Sequence, residues 1–170
     1  MQSQSWQASL KASLNPSKRA EQPVRLAVLG IGHELCGDDA VGVRLAGMLR
    51  PLVTGNDRML VIEAGPAPEN FTGPLRRFQP DLVLLVDAAQ MDAGPGTIGW
   101  LDLQSVGGMS ASSHTLPLHI LVSYLVAELG CQVALIGIQP EQTFADAPLT
   151  PQVLAAAQIV VQELLDCLKN

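Results

Sequence analysis

The stretch from Arg25 to Gly42, RLAVLGIGHELCGDDAVG, restricts the fold more than any other part of the chain. It opens with Leu26, Ala27, Val28, Leu29 and Ile31, an apolar run suited to a strand buried on both faces. It turns through Gly30, Gly32 and Gly37 and meets two adjacent acids, Asp38 and Asp39. Apolar residues at helical spacing follow: Val41, Leu45, Met48, Leu49 and Leu52. Strand, glycine-rich turn and helix are how a doubly wound α/β domain begins. In most such domains the free N–H groups at the helix N-terminus serve phosphate. Here two carboxylates hold that position, where a phosphate meets like charge and a metal cation finds ligands.

From Val24 onward, strands and helices alternate. Strands are predicted at Met59–Glu63, at Asp81–Val86 with Asp87 closing it, and at Gln132–Ile138. A short strand near Thr97–Leu101, entered through Gly94-Pro95-Gly96, is expected to run antiparallel at an edge. Helices are predicted around Phe71–Phe78 and over Leu116–Leu129, with Pro117 in the first turn of the latter. The last helix is predicted to start at Thr150-Pro151 and to bury Leu154, Ala157, Val161, Leu164 and Leu168. The expected fold is a three-layer α/β domain over residues 24–170, with a mostly parallel five-stranded sheet and helices on both faces. Residues 1–23, rich in Ser, Gln and Lys, contain no apolar core of the kind a secretory signal needs, and are expected to be a disordered or loosely docked tail, with a basic, Ser-rich targeting segment as the alternative. Trp6, Leu10 and Leu14 are spaced to line one face of a short helix within it.

A hydrophobic share of 48% against 15% charged residues suits strands covered on both faces. A net charge of −6 argues against a nucleic-acid partner, and no apolar run reaches membrane-spanning length. Three scattered cysteines, Cys36, Cys131 and Cys167, fit a reducing cytoplasm and form no zinc cluster readable from spacing. A cytoplasmic monomer is expected.

In open α/β sheets, ligands bind beyond the carboxyl ends of the strands. Asp39 follows the first strand, Asp87 ends the third, and His114 lies in the loop after the fourth. Two carboxylates and an imidazole would suit zinc, nickel or another divalent metal and leave positions for water or substrate. Each residue also has a plainer explanation. Asp38 and Asp39 could be helix-start acids, Asp87 a turn cap, and His114 a capping histidine. His119 is expected to be an ordinary helix residue.

The element LGIGHELCGDDAVG resembles the N-terminal signature of the nickel–iron hydrogenase maturation endopeptidases. The resemblance continues through EAGPAPEN (Glu63 to Asn70), LLVDA (Leu84 to Ala88), SSHTLPL (Ser112 to Leu118) and GIQP (Gly137 to Pro140), in the family's order. The PEN and GIQP blocks are similar to the branch that processes large subunits of formate-hydrogenlyase-type hydrogenases. The resemblance implies an endopeptidase that removes the C-terminal extension of a hydrogenase large-subunit precursor once nickel is inserted. It implies a metal-binding and catalytic triad of Asp39, Asp87 and His114, with Asp38 as an orienting acid, and nickel supplied by the substrate or a resident zinc or other divalent ion. Where the family usually carries Asn, this chain has His33, either a further ligand, a donor to Asp39, or a satisfied loop residue.

Three rivals stand beside that reading. A nucleotide-binding Rossmann domain needs G-x-G-x-x-G, but the third position here is Leu35. A nickel-binding assembly factor without proteolysis shares every ligand. A cysteine hydrolase built from Cys36, His114 and Asp87 needs a thiolate that nothing in the sequence identifies.

Overall fold

The structure is a computed structural model that describes residues 5–15, 22–101, 103 and 117–169. Its elements, in chain order, are α1 (Trp6–Ser13), β1 (Leu26–Ile31), α2 (Val41–Leu49), β2 (Met59–Gly65), α3 (Thr72–Phe78), β3 (Leu82–Ala88), β4 (Ile98–Leu101), α4 (Leu118–Leu129), β5 (Gln132–Ile138) and α5 (Pro151–Leu168). Short 3-10 turns at Gly37–Ala40, Arg50–Val53 and Pro68–Phe71 join some of them.

The sheet runs β2-β1-β3-β5-β4. All neighbouring strands are parallel except β4, which pairs antiparallel with β5 at the edge, as the turn at Gly94-Pro95-Gly96 led one to expect. The chain leaves β1 for β2 on one side, then crosses back to β3 on the other. The strand order therefore reverses between β1 and β3, the kind of switch point beyond whose carboxyl ends ligands bind in open α/β sheets.

Residues of β1 and β3 are buried on both faces and alternate between two cores, as the two-residue period of a strand dictates. Leu26, Val28, Leu82, Leu84 and Val86 meet α1, α2 and α5 through Leu10, Leu45, Val160 and Leu164. Ala27, Leu29, Ile31, Val83 and Leu85 meet α3 and α4 through Leu75, Leu121 and Leu125. The structure thus has helices on both faces of a mostly parallel sheet. No helix among the described residues is long and apolar enough to cross a membrane.

Four local expectations are revised. Within the segment read as a tail, residues Trp6–Ser13 are helical, Trp6 and Leu10 are buried in the core, and Lys11 pairs with Glu163 of α5 at 2.9 Å. A Trp and a Leu four residues apart on one face supply the apolar contact that a polar composition hides. Leu52 is 60% exposed and Val53 is buried in its place, because the chain tightens to a 3-10 turn at Pro51 and the apolar phase shifts. The buried stripe of α5 runs through Val153, Ala156, Ala157, Val160, Val161 and Leu164 and continues to the partly buried Leu168, while Leu154 lies beside it. Pro117 is the N-cap of α4, with φ −55° and ψ 132°, rather than a first-turn residue.

Candidate active site

Asp39 reaches the carboxyl edge through a turn that only glycine permits. Gly32 has φ +135°, and a Cβ there would lie 1.7 Å from the Asp39 carbonyl oxygen. Gly42, in the first turn of α2, rests against the backbone of both Ile31 and Val86, where a Cβ would come within 2.2 Å of the Val86 carbonyl oxygen. The glycines of this element therefore serve backbone packing. They seat the acidic turn directly on the ends of β1 and β3, where a nucleotide fold would seat a phosphate. The Gly37–Ala40 turn packs against β3, whose penultimate residue is Asp87, paired with Gly137 of β5.

Relative exposures are 0% for Asp38, 5% for Asp39 and 1% for Asp87. Acids that merely complement a helix dipole at the surface stay hydrated, so burial to this degree calls for specific partners. A carboxylate is buried only where hydrogen bonds or a partner charge offset its lost hydration.

For Asp38 those bonds are explicit. Its carboxylate accepts from the Thr150 N–H at 2.7 Å, the Thr150 hydroxyl at 2.9 and 3.0 Å, the Glu141 N–H at 2.9 Å and the Gln142 N–H at 3.2 Å. Both oxygens are engaged by the loop that leads from β5 to α5. Thr150, read as the N-cap of α5, directs its hydroxyl to Asp38 and caps no helix N–H. Asp38 is thus tied to protein donors, whereas Asp39 turns one oxygen, Oδ2, to the His33 N–H at 2.9 Å.

His33 enters through its backbone. Its imidazole Nδ1 accepts from the Leu35 N–H at 3.3 Å, so the ring closes its own loop while the main chain donates to Asp39. The other expected ligand, His114, lies outside the described residues, as does the Gly/Ser-rich loop before it. Among the described residues no three His, Cys, Asp or Glu side chains form a metal site. Asp39 and Asp87 are both buried at the carboxyl edge, and carboxylates are oxygen ligands of the kind divalent cations take. His119 is exposed on α4, where it accepts the Ser123 hydroxyl through its carbonyl.

Gln139 is a positioning residue that sequence reasoning left without a role. Buried just past β5, its amide accepts from the Met91 N–H at 2.7 Å and donates to Gln90 Oε1 at 2.9 Å. It thereby holds the chain that leaves β3 after Asp87. The available signal was an amide side chain set between an aliphatic strand and Pro140. A cleft of about 280 Å³ opens between the turn after β1 and the end of β2, lined in part by His33, Glu34, Leu35, Val43 and Glu63, and it connects to Asp39 through His33, whose N–H donates to Asp39 Oδ2. Glu63 is paired with Arg50 at 3.0 Å. Of the cysteines, Cys131 and Cys167 have thiols pushed up by burial, which disfavours the thiolate a nucleophile needs.

A sequence profile described as HycI, hydrogenase maturation protease, matches residues 43–167. The hydrogenase 3 maturation protease of Escherichia coli is 33% identical over 138 residues, which is 81% of this chain and 86% of that protein. The crystal structure of a nickel–iron hydrogenase maturation protease, HycI from Thermococcus kodakarensis, superposes with a TM-score of 0.82 at 31% identity, covering 95% of this chain and 99% of that one. The solution structure of the endopeptidase HycI from Escherichia coli superposes at 0.71 with 31% identity, over 81% of this chain and 86% of that one. These matches favour neither a nucleotide-binding Rossmann domain nor a non-proteolytic factor. The profile spans most of the chain and the Escherichia coli relative is 33% identical over 81% of it, so the chain belongs to the hydrogenase maturation protease family.

Proposed function

We propose that this protein is the endopeptidase that removes the C-terminal extension of a nickel–iron hydrogenase large-subunit precursor after nickel has been inserted. The observation that carries the proposal is the pair of buried carboxylates, Asp39 in the turn that follows β1 and Asp87 near the end of the neighbouring β3, where the strand order reverses. In this reading Asp39, Asp87 and His114 bind the nickel that the precursor brings, and the bound precursor presents its scissile peptide at the carboxyl edge. The reaction is hydrolysis. Water adds to the peptide carbonyl, the C–N bond breaks, and the proton taken from water passes to the departing amine. A carboxylate of the site is the general base for that water. Asp38 acts through position, since its oxygens bind Thr150, Glu141 and Gln142. A cytoplasmic monomer fits the same reading, because a reducing compartment keeps Cys36, Cys131 and Cys167 as free thiols.

The test is processing of a nickel-loaded precursor by the wild type and by Asp39→Ala, Asp87→Ala and His114→Ala, with circular dichroism to verify folding. Each variant is expected to lose at least about a hundredfold in rate. A variant that cuts at the wild-type rate removes its residue from the site. Activity that disappears when a chelator strips the wild type, and returns with zinc alone, would assign the chemistry to a resident metal instead.

A further inference from the structure

Leu35 and Phe144 are each 64% exposed, the largest exposures among the described bulky apolar side chains. Scattered surface leucines need no explanation, and Leu52, Ile120, Val126 and Ile159 are of that kind. Leu35 and Phe144 differ because they stand on two loops stitched together at the rim of the candidate active site. The Asp146 N–H donates to the Leu35 carbonyl at 2.7 Å, and the Asp38 N–H donates to the Gln142 carbonyl at 2.8 Å. The turn that holds Asp146 closes through the Ala147 N–H to the Phe144 carbonyl at 3.3 Å. Beneath both loops, the buried Asp38 carboxylate takes the Glu141 and Gln142 N–H groups. The loops are thus fixed to each other by main-chain bonds while their apolar side chains face outward. Leu35 also lines the cleft that includes His33, whose N–H donates to Asp39 Oδ2.

We infer that Leu35 and Phe144 form a preorganised apolar lip on which an apolar segment of the precursor, adjoining its scissile bond, docks. The inference rests on the proposed function. A precursor that delivers its peptide to Asp39 has to cross the rim that these loops make, so the lip is continuous with the substrate-binding edge. Fixing the loops in advance lowers the ordering cost of binding, and buried apolar anchors dominate protein–protein affinity. The lip should therefore control how tightly the precursor binds and leave the chemical step alone.

The test uses the full chain and a nickel-loaded large-subunit precursor, and measures precursor affinity and cleavage in parallel. Leu35→Ser/Phe144→Ser should weaken binding and raise KM about tenfold while kcat stays within about twofold. The double variant should keep the wild-type melting temperature, because both side chains are solvent-exposed in the free protein. Leu35→Met/Phe144→Leu should restore affinity, and Ile159→Ser on α5 should not alter it. Unchanged affinity in the double serine variant overturns the inference, and so does a fall in kcat at constant KM. A wild-type dimer dispersed by the double variant also overturns it, by assigning the lip to self-association. Wild-type protein that binds precursor without cutting it would defeat the proposed function. The lip would then still be decided by the affinities.

Discussion

The two ends of the sheet handle charge in opposite ways. At the amino edge Arg25 is surrounded by groups that use it fully. Its N–H donates to Asp81 Oδ2 at 2.9 Å, its guanidinium donates to the carbonyls of Phe78 and Asp57, and it lies 4.4 Å from the centre of the Phe78 ring. These groups are partly exposed, of mixed sign, and joined across the start of β1 and β3. At the carboxyl edge, Asp38, Asp39 and Asp87 are all buried and all of one sign. The amino edge is a clasp. The carboxyl edge gathers acids in the interior, and Asp38 divides it internally, because that one acid holds a loop.

The largest effect that would sharpen this contrast is expected at Asp38. Asp38→Ala leaves the Thr150, Glu141 and Gln142 N–H groups and the Thr150 hydroxyl without their acceptor. A loss of about 3 kcal/mol is expected, together with a fall in processing as the β5–α5 loop loosens. Asp38→Asn, which keeps one acceptor oxygen, should recover part of both. Chemical denaturation measures the first and a precursor-cleavage assay the second. Wild-type stability in Asp38→Ala would break the distinction between the two adjacent acids. A smaller effect is expected at the other edge. Arg25→Ala should cost about 1–2 kcal/mol through lost hydrogen bonds and cation–π contact, with the processing rate preserved. A large loss of activity at unchanged stability would mean that the amino edge is more than a clasp.

Much of this arrangement was legible from local pattern. The glycines and acids of Arg25–Gly42 placed a strand, turn and helix, and Gln132–Ile138 is a strand at the expected bounds. Asp39 and Asp87 were reachable because topology carries strand ends to one edge wherever the chain is doubly wound. Features that depend on distant partners were not legible. The donors to Asp38 lie 103 to 112 residues away, and nothing near Asp38 marks Thr150 as its partner. His33 looked like a ring near an acid, yet its main-chain N–H makes the contact, a choice set by loop geometry. The departures at Leu52 and Leu154 arise from a 3-10 turn and from the packing of α5 against α2 and β5, which helical periodicity alone does not encode. The spacing of Trp6, Leu10 and Leu14 announced the face of α1, but its polar surroundings gave no sign that Trp6 and Leu10 are buried in the core.

The account turns on whether the carboxyl edge reads nickel carried by the precursor. The most direct measurement compares nickel-loaded and nickel-free precursor, bound to and cut by the wild type with no metal added. The loaded form should bind at least about tenfold more tightly and be the one that is cut, a difference of about 1.4 kcal/mol or more from bonds that only the metal makes possible. His114→Ala should bind the loaded form no better than the wild type binds the unloaded one. Equal binding and equal cleavage of both forms by the wild type would contradict the account.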